Sequence, residues 1–366
     1  MKKERISSKI FPLVYTGKDL WQSAIAQLVE QVTVNHPVAG SNPARGAIIC
    51  LRTLAVGKEI LYKSILEMNH LKIFVFLITV LVALLIYNCG CGSLNNSSNT
   101  ENWVDEGILF NPDTIGISGA LGVSDASIIQ LANGNLRLFI SVNTLSSSAA
   151  LYSAVSTNET NWTLESGIRL GDVTVSRPVK LSNGNYRLYY NARDNAGIIS
   201  AISTDEGQTF TLETGTRVAT GGAYDLAVVD NGTTLILSNG SYKLYYGGAN
   251  ENGSIIPFNI LSAVSSDGLT FSKDSGIRLS SSQNRATHPH VFVYQGQYIM
   301  YYSTNSYIYK AVSSDGVSWT ESGSTGIQGA DVYILQLSNG NWRMFYNTYD
   351  ASTGKSYLRT AIWRKS

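Results

Sequence analysis

Beyond about residue 102, apolar and polar positions alternate with a period of two, and the alternation is broken at intervals by a glycine turn. That period predicts strands with one face buried. One unit recurs: an alternating strand, a tight turn, then a strand rich in Tyr and Phe. Its copies are IIQLANGNLRLFIS (128–141), PVKLSNGNYRLYYN (178–191), LILSNGSYKLYYGG (235–248), VFVYQGQYIMYYST (291–304) and ILQLSNGNWRMFYN (334–347). The turn glycines Gly134, Gly184, Gly240, Gly296 and Gly340 are 50, 56, 56 and 44 residues apart. Asn-Gly between alternating strands is a strong hairpin signal, and a two-residue turn there needs φ > 0 at both positions.

A third strand with an Asp/Asn-Gly turn and an aromatic follows the hairpins, as in LYSAVSTNETNW (151–162), ISAISTDEGQTF (199–210), LSAVSSDGLTF (261–271) and YKAVSSDGVSW (309–319). An outer strand ending in glycine comes next: WTLESGIRL (162–170), FTLETGTRV (210–218), FSKDSGIRL (271–279) and WTESGSTGI (319–327). Four strands make one propeller blade. The last copy stops at its third strand, SYLRTAIWRKS (356–366), whereas WVDEGILF (103–110) matches the outer-strand pattern at the other end of the domain. The sequence therefore predicts an all-β, five-bladed propeller over 102–366, its ring closed by 103–110 pairing with the last blade. A β-sandwich gives no reason for one end of the domain to supply the strand missing at the other.

Composition divides the chain. Met1–Gly90 carries ten Lys/Arg and five Asp/Glu, whereas Cys91–Ser366 carries 17 Lys/Arg and 21 Asp/Glu. The mildly acidic second part gives no electrostatic reason to bind nucleic acid. The cysteines are Cys50, Cys89 and Cys91, so the repeat region has no thiol for a disulfide or a metal. LKIFVFLITVLVALLIY (71–87), led by MNHLK and followed by Asn88-Cys89-Gly90-Cys91, reads as a signal peptide over 68–91. An uncleaved membrane anchor is the alternative. Residues 1–67 precede that signal. Gly40-Ser41-Asn42-Pro43 can be encoded by GGTTCGAATCC, a common T-arm sequence of transfer RNA genes, so 1–67 reads as a spurious extension without defined structure. The Ser/Asn-rich stretch 92–101 reads as a flexible tether.

Three resemblances follow from these residues. The cysteines after the apolar run resemble the lipobox of bacterial lipoproteins, with Cys91 rather than Cys89 as the lipidated residue. STDEGQTF (203–210) resembles the Asp-box of sialidases, and SSDGLTF and SSDGVSW are one residue shorter. In those families the box is a braced turn away from the active centre, which makes Asp205, Asp267 and Asp315 structural. The repeat as a whole resembles the five-bladed arabinanase, β-xylosidase and invertase/levansucrase group of glycoside hydrolases.

Innermost propeller strands converge at one channel mouth. Counting about nine residues back from each turn glycine marks Asp125, Val175, Asn231, Thr287 and Asp331. Their polar neighbours add Arg177, Asp225, Asp230, His288 and His290. Glycoside hydrolysis needs two carboxyl groups flanking the bond. The resemblance implies an Asp on the first inner strand, an Asp on the second and a Glu on the third. Asp125 matches the first. Arg177 stands in place of the second, and the third offers only Asp225 and Asp230. Asp125, Asp225 and Asp230 are thus the catalytic candidates. Arg177, Tyr224, His288, His290 and Asp331 are the substrate-binding candidates. His288 and His290 are two apart on a strand and so share a face; two imidazoles alone make no zinc site. No cofactor is required, and the resemblance implies at most a Ca²⁺ in the central channel. The expectation is an exported, lipid-anchored monomer at the bacterial outer membrane or cell surface, acting on an oligo- or polysaccharide as a divergent glycoside hydrolase. The alternative is a non-catalytic surface lipoprotein that binds glycan or protein.

Overall fold

The computed structural model describes residues 102–145, 149–191, 197–252 and 257–364. The extension 1–67, the signal 68–91 with Cys89 and Cys91, and the tether 92–101 lie outside the described residues. Among the described residues every regular element is a β-strand.

Strand β1 (Val104–Phe110) precedes groups of three to five consecutive strands. The first comprises β2 (Ala120–Gln130), β3 (Leu136–Thr144), β4 (Ala150–Ser156) and the short β5 (Thr163–Leu164). The second comprises β6 (Thr174–Lys180), β7 (Tyr186–Asn191), β8 (Gly197–Ser203) and β9 (Thr211–Ala219). The third comprises β10 (Val228–Ile236), β11 (Tyr242–Ala249) and β12 (Asn259–Ser265), edged by β13 (Ser272–Lys273) and β14 (Leu279–Ser280). The fourth comprises β15 (Thr287–Tyr294), β16 (Gln297–Ser303), β17 (Tyr307–Ser313) and β18 (Thr320–Gln328). The last comprises β19 (Ala330–Gln336), β20 (Trp342–Asp350) and β21 (Lys355–Trp363), and β1 pairs antiparallel with β21 from Val104↔Ile362 to Phe110↔Leu358. Hydrogen bonding counts four sheets, because one parallel bridge, Gly122↔Ser356, fuses the first and last groups into a sheet of eight strands.

The hairpins differ from the expected two-residue turn. Leu131 N–H donates to Asn135 O at 2.8 Å and Gly134 N–H to Leu131 O at 3.0 Å, so three residues form the loop. Only the glycine, at φ 86°, needs the left-handed region there. This is the three-residue hairpin in which a type I turn precedes a glycine bulge. The same bonds recur at Leu181/Asn185, Leu237/Ser241 and Leu337/Asn341. The fourth hairpin alone has the two-residue form: Tyr294 pairs with Gln297, and Gln295 and Gly296 have φ of 50° and 78°.

Two contacts repeat, one between neighbouring groups and one chiefly within a group. The aromatic that closes each Ser-x-Asp/Asn turn packs edge-on against the Tyr or Phe of the preceding group's second strand: Phe210 on Phe139, Phe271 on Tyr189 and Trp319 on Tyr245, at 5.6–5.8 Å between centroids. Trp162 of the first group meets Phe345 of the last at 6.0 Å. Trp103, just before β1, meets Tyr301 of the fourth at 6.0 Å. Such contacts add about 0.5–1.5 kcal/mol beyond the area buried. Serine and aspartate side chains brace the turns themselves, as where Gly207 N–H donates to Ser203 Oγ and Thr209 N–H to Asp205 Oδ1.

The second contact is ionic. Arg137, Arg187 and Lys243 on second strands pair with Glu165, Glu213 and Asp274 of their own outer segments, at 2.6–2.8 Å. Arg343 does the same with Glu106, which β1 supplies. Arg137 and Arg187 also donate to the carbonyls of Glu206 and Asp267 in the following group's turn. The fourth group carries Ile299 instead, and its Glu321 accepts from Tyr302, Ser281 and Ser282.

Both faces of the second strands are buried, so adjacent tyrosines in each pair pack inside. Tyr189 and Tyr190, Tyr245 and Tyr246, and Tyr301 and Tyr302 are all within 2% of full burial.

Candidate functional site

The first strand of every group carries a β-bulge at the same distance from its turn. The register shifts fall between Ser124 and Ser127, Thr174 and Arg177, Asp230 and Thr233, Thr287 and His290, and Ala330 and Tyr333. Four bulges hold a non-glycine residue at positive φ: Asp125 at 56°, Val175 at 47°, His288 at 49° and Asp331 at 54°. Left-handed backbone costs on the order of 1–2 kcal/mol for such residues, and bulges of this kind re-aim a side chain. Here the strands bring Asp125, Arg177, Asp230, His288 and Asp331 to one cluster.

His288 stands between two carboxylates. Its Nε2 lies 2.6 Å from Asp230 Oδ2, and its Nδ1 contacts Asp331 Oδ1. Burial works against a charged imidazole, but the two carboxylates outweigh it and hold the pKa well above the usual histidine value. For Asp331, burial raises the pKa, and the facing imidazolium outweighs it, with a net shift downward. Asp125 shifts the other way. Its burial and the nearby Asp331 charge raise its pKa, against weaker lowering by His288, the Val175 N–H at 3.1 Å and Arg177. Arg177 is buried and donates to the carbonyls of Ala126 at 2.8 Å, Ser176 at 3.2 Å and Val332 at 3.1 Å. His288 thus pairs with Asp230 and Asp331, and Arg177 lies beside Asp125 and Asp331. A buried group of charges is tolerated only when so paired.

The remaining candidates sit elsewhere. Asp225 is buried beneath the loop before β10. There its Oδ2 accepts from Tyr246 Oη at 2.9 Å and pairs with Lys273 Nζ at 2.7 Å. Tyr224 beside it is 41% exposed. His290 lies against the Tyr333 ring at 4.3 Å between centroids, and burial followed by the Arg177 charge pushes its pKa down to about 3. The expected shared face of His288 and His290 does not survive the bulge, which interrupts the two-residue alternation between them. Thr287 is buried, and Asn231 donates to Val175 O at 2.6 Å and Tyr189 O at 2.9 Å, linking inner strands. Both nitrogens of His288 face carboxylates, and no group of three or more His, Cys, Asp or Glu among the described residues is arranged to hold a metal ion. The geometry therefore does not fit a Ca²⁺ held by a channel histidine.

Sequence reasoning missed Asn347 and Tyr333. Asn347 on β20 hydrogen-bonds Asp331, and Tyr333 on β19 lies under Arg177 at 5.8 Å. Asn347 is seven residues beyond Gly340, a second-strand position at which Asn191 recurs, and Asn191 Nδ2 donates to Val229 O of the neighbouring inner strand. That recurrence was the available signal.

No protein-family model matches this sequence, and no curated protein matches it. Solved structures do match. A thermostable family-43 glycoside hydrolase aligns at 18% identity and TM-score 0.55, over 69% of this chain and 91% of its own. Zg3597, a family-117 glycoside hydrolase from the marine bacterium Zobellia galactanivorans, aligns at 14% and 0.58, over 72% and 92%. A family-43 β-1,3-galactosidase aligns at 14% and 0.54, over 70% and 94%. At such identities the likeness is one of fold. The described chain is all-β and has the propeller-type fold of these glycoside hydrolases.

Proposed function

We propose that this chain is a five-bladed propeller that acts on carbohydrate as a divergent glycoside hydrolase, with its site at the mouth where the inner-strand bulges meet. The closed five-bladed ring is supported by the β1–β21 pairing and by the two contacts, Trp103–Tyr301 and Glu106–Arg343, through which the N-terminal segment completes the last group. The observation that carries the catalytic reading is the meeting of three carboxyls, Asp125, Asp230 and Asp331, in one cluster with Arg177 and His288, where burial pushes Asp125 up and the imidazolium holds Asp331 down. Carboxyl groups pushed apart in this way divide into acid and base. Asp125 holds a proton and gives it to the leaving glycosidic oxygen. Asp331, whose side chain is 12% exposed, takes the proton of the water that attacks the anomeric carbon as the C–O bond breaks. Arg177 and His288 hold the charges in place. Asp225, occupied by Lys273 and Tyr246, has no part in this step.

A second reading, glycan binding without cleavage, is favoured by the imidazole of His288 filling the space between Asp230 and Asp331. One experiment separates the two: arabinan, xylan and fructan are offered to the full chain, and reducing-sugar release and binding are measured together. Release that Asp125→Asn abolishes supports the hydrolase. Binding without release supports the second reading, and neither binding nor release on a broad glycan array overturns both.

Export as a monomeric lipoprotein anchored through Cys91 belongs to the same reading. Its support is the apolar run 71–87 followed by Cys89-Gly90-Cys91. Cys91→Ser should move the protein from the detergent phase to the aqueous phase, and Cys89→Ser should not; the reverse result would reassign the anchor.

A further inference from the structure

Beside the charged cluster, between the fourth and last groups, lies a cavity of about 390 Å³. Its walls come from the β16–β17 turn (Thr304, Asn305, Ser306), the β18–β19 junction (Gln328, Gly329, Ala330) and the end of β20 (Asn347, Thr348, Tyr349). Pockets of about 300–1,000 Å³ hold small ligands, and this one has room for a sugar ring or two. No lining residue bears a formal charge. The polar groups are amides and hydroxyls, the partners that sugar hydroxyls need. Asn347 Oδ1 is buried with no hydrogen-bond partner, an acceptor awaiting a donor. Tyr349 is 67% exposed at the rim, where its ring is free to stack on the apolar face of a sugar. Gly329 keeps the wall bare. A Cβ there would stand 2.6 Å from Tyr346 Cδ2 and 2.7 Å from Asn347 O, so any larger residue would disturb the strand behind the cavity.

The cavity joins the cluster through two residues. Asn347 bonds Asp331, and Ala330 precedes Asp331 in the chain. A sugar acid would find no cation within these walls to pair with its carboxylate. We infer that the cavity walled by Asn305, Gln328, Asn347 and Tyr349 is a subsite for a neutral sugar unit and discriminates against uronic and sialic acids. The inference rests on the carbohydrate reading above and adds to it the charge class of the substrate.

The test titrates arabinotriose, xylotriose, kestose and trigalacturonate into the full chain carrying Asp125→Asn, which removes turnover. At least one neutral trisaccharide is expected to bind, and trigalacturonate at least tenfold more weakly. Tyr349→Ala should weaken the neutral ligand about tenfold, the loss of one stacking ring, with no change in the unfolding midpoint. Ser306→Trp, at an exposed wall position, should fill the cavity and abolish that binding. Equal binding of trigalacturonate, or neutral binding unmoved by both variants, would overturn the subsite. If no sugar is bound by any form or cleaved by the unaltered chain, the carbohydrate reading fails first. If sugar is bound or cleaved but neither variant matters, the subsite alone fails.

Discussion

Arg343 on β20 takes both carboxylate oxygens of Glu106, 237 residues earlier in the chain, with Nε 2.8 Å from Oε2 and Nη2 3.0 Å from Oε1. The arginine side chain is 8% exposed and the glutamate 29%. Removing the carboxylate leaves a buried guanidinium with only the Glu159 carbonyl. Glu106→Ala is therefore expected to cost about 1–3 kcal/mol. Trp103→Ala, which also empties the site against Tyr301, is expected to cost about 3–5 kcal/mol. Denaturant unfolding of both variants checks this. A Glu106→Ala variant as stable as the parent would show that the pair does not hold the N-terminal strand.

Asp125→Asn is expected to abolish glycan cleavage and leave stability equal or higher above about pH 4. The amide keeps an oxygen for the Val175 N–H and removes a buried acid whose folded pKa is raised. For such a group the folding contribution is present below the unfolded pKa and lost as pH rises, so at neutral pH the native aspartate is a burden. Kinetics and thermal melts of the same variant read the two effects separately; a lower melting temperature would mark Asp125 as structural.

The two histidines should shape opposite limbs of the stability curve. His288 has a raised pKa, so its contribution is complete below about pH 6.5 and fades as pH climbs through its folded value. His290 has a pKa lowered to about 3, so its contribution is complete above about pH 6.5 and is lost on acidification toward 3. His290→Phe should flatten the acid limb, and His288→Gln the alkaline one. Chemical denaturation from pH 3 to 10 measures this, and the assignment falls if His290→Phe alters the alkaline limb or His288→Gln leaves that limb unchanged.

Glycine positions should differ by their surroundings. Gly207 has φ 81°, and a Cβ there would lie 2.4 Å from Phe139 Cζ across the contact between groups. Gly134 has φ 86° with nothing near. Gly134→Ala is expected to cost about 1 kcal/mol from backbone conformation alone. Gly207→Ala should cost about 2–4 kcal/mol, because overpacking adds to it. Equal losses by denaturant unfolding would exclude the overpacking contribution.

Strand periodicity and the repeats were legible in the sequence because each copy repeats the same alternation and turn. Counting back from the turn glycine reached Asp125 and Asp331 for the same reason. It gave Thr287 where His288 carries the bulge, because the fourth hairpin has a turn one residue shorter. It could not choose between Asp225 and Asp230, since the loop before β10 folds Asp225 back onto Lys273, a contact set by tertiary packing. The pairs Arg137–Glu165, Arg187–Glu213, Lys243–Asp274 and Arg343–Glu106 leave a trace, a basic residue three places after every turn glycine except Gly296 with an acid in each outer segment. The cavity leaves none, because Asn305, Gln328 and Tyr349 come from separate connections that only the packed sheets bring together.

During synthesis β1 is the earliest of the described strands to leave the ribosome, and its hydrogen-bonding partner β21 is the latest. Until then the edge of β1 has no native partner. Interactions so far apart form slowly, and unpaired edges invite association with other chains. A protein of this design needs its leading segment kept soluble while translation finishes, so halting elongation before Lys355 should yield nascent chains that depend on holdase chaperones for their solubility.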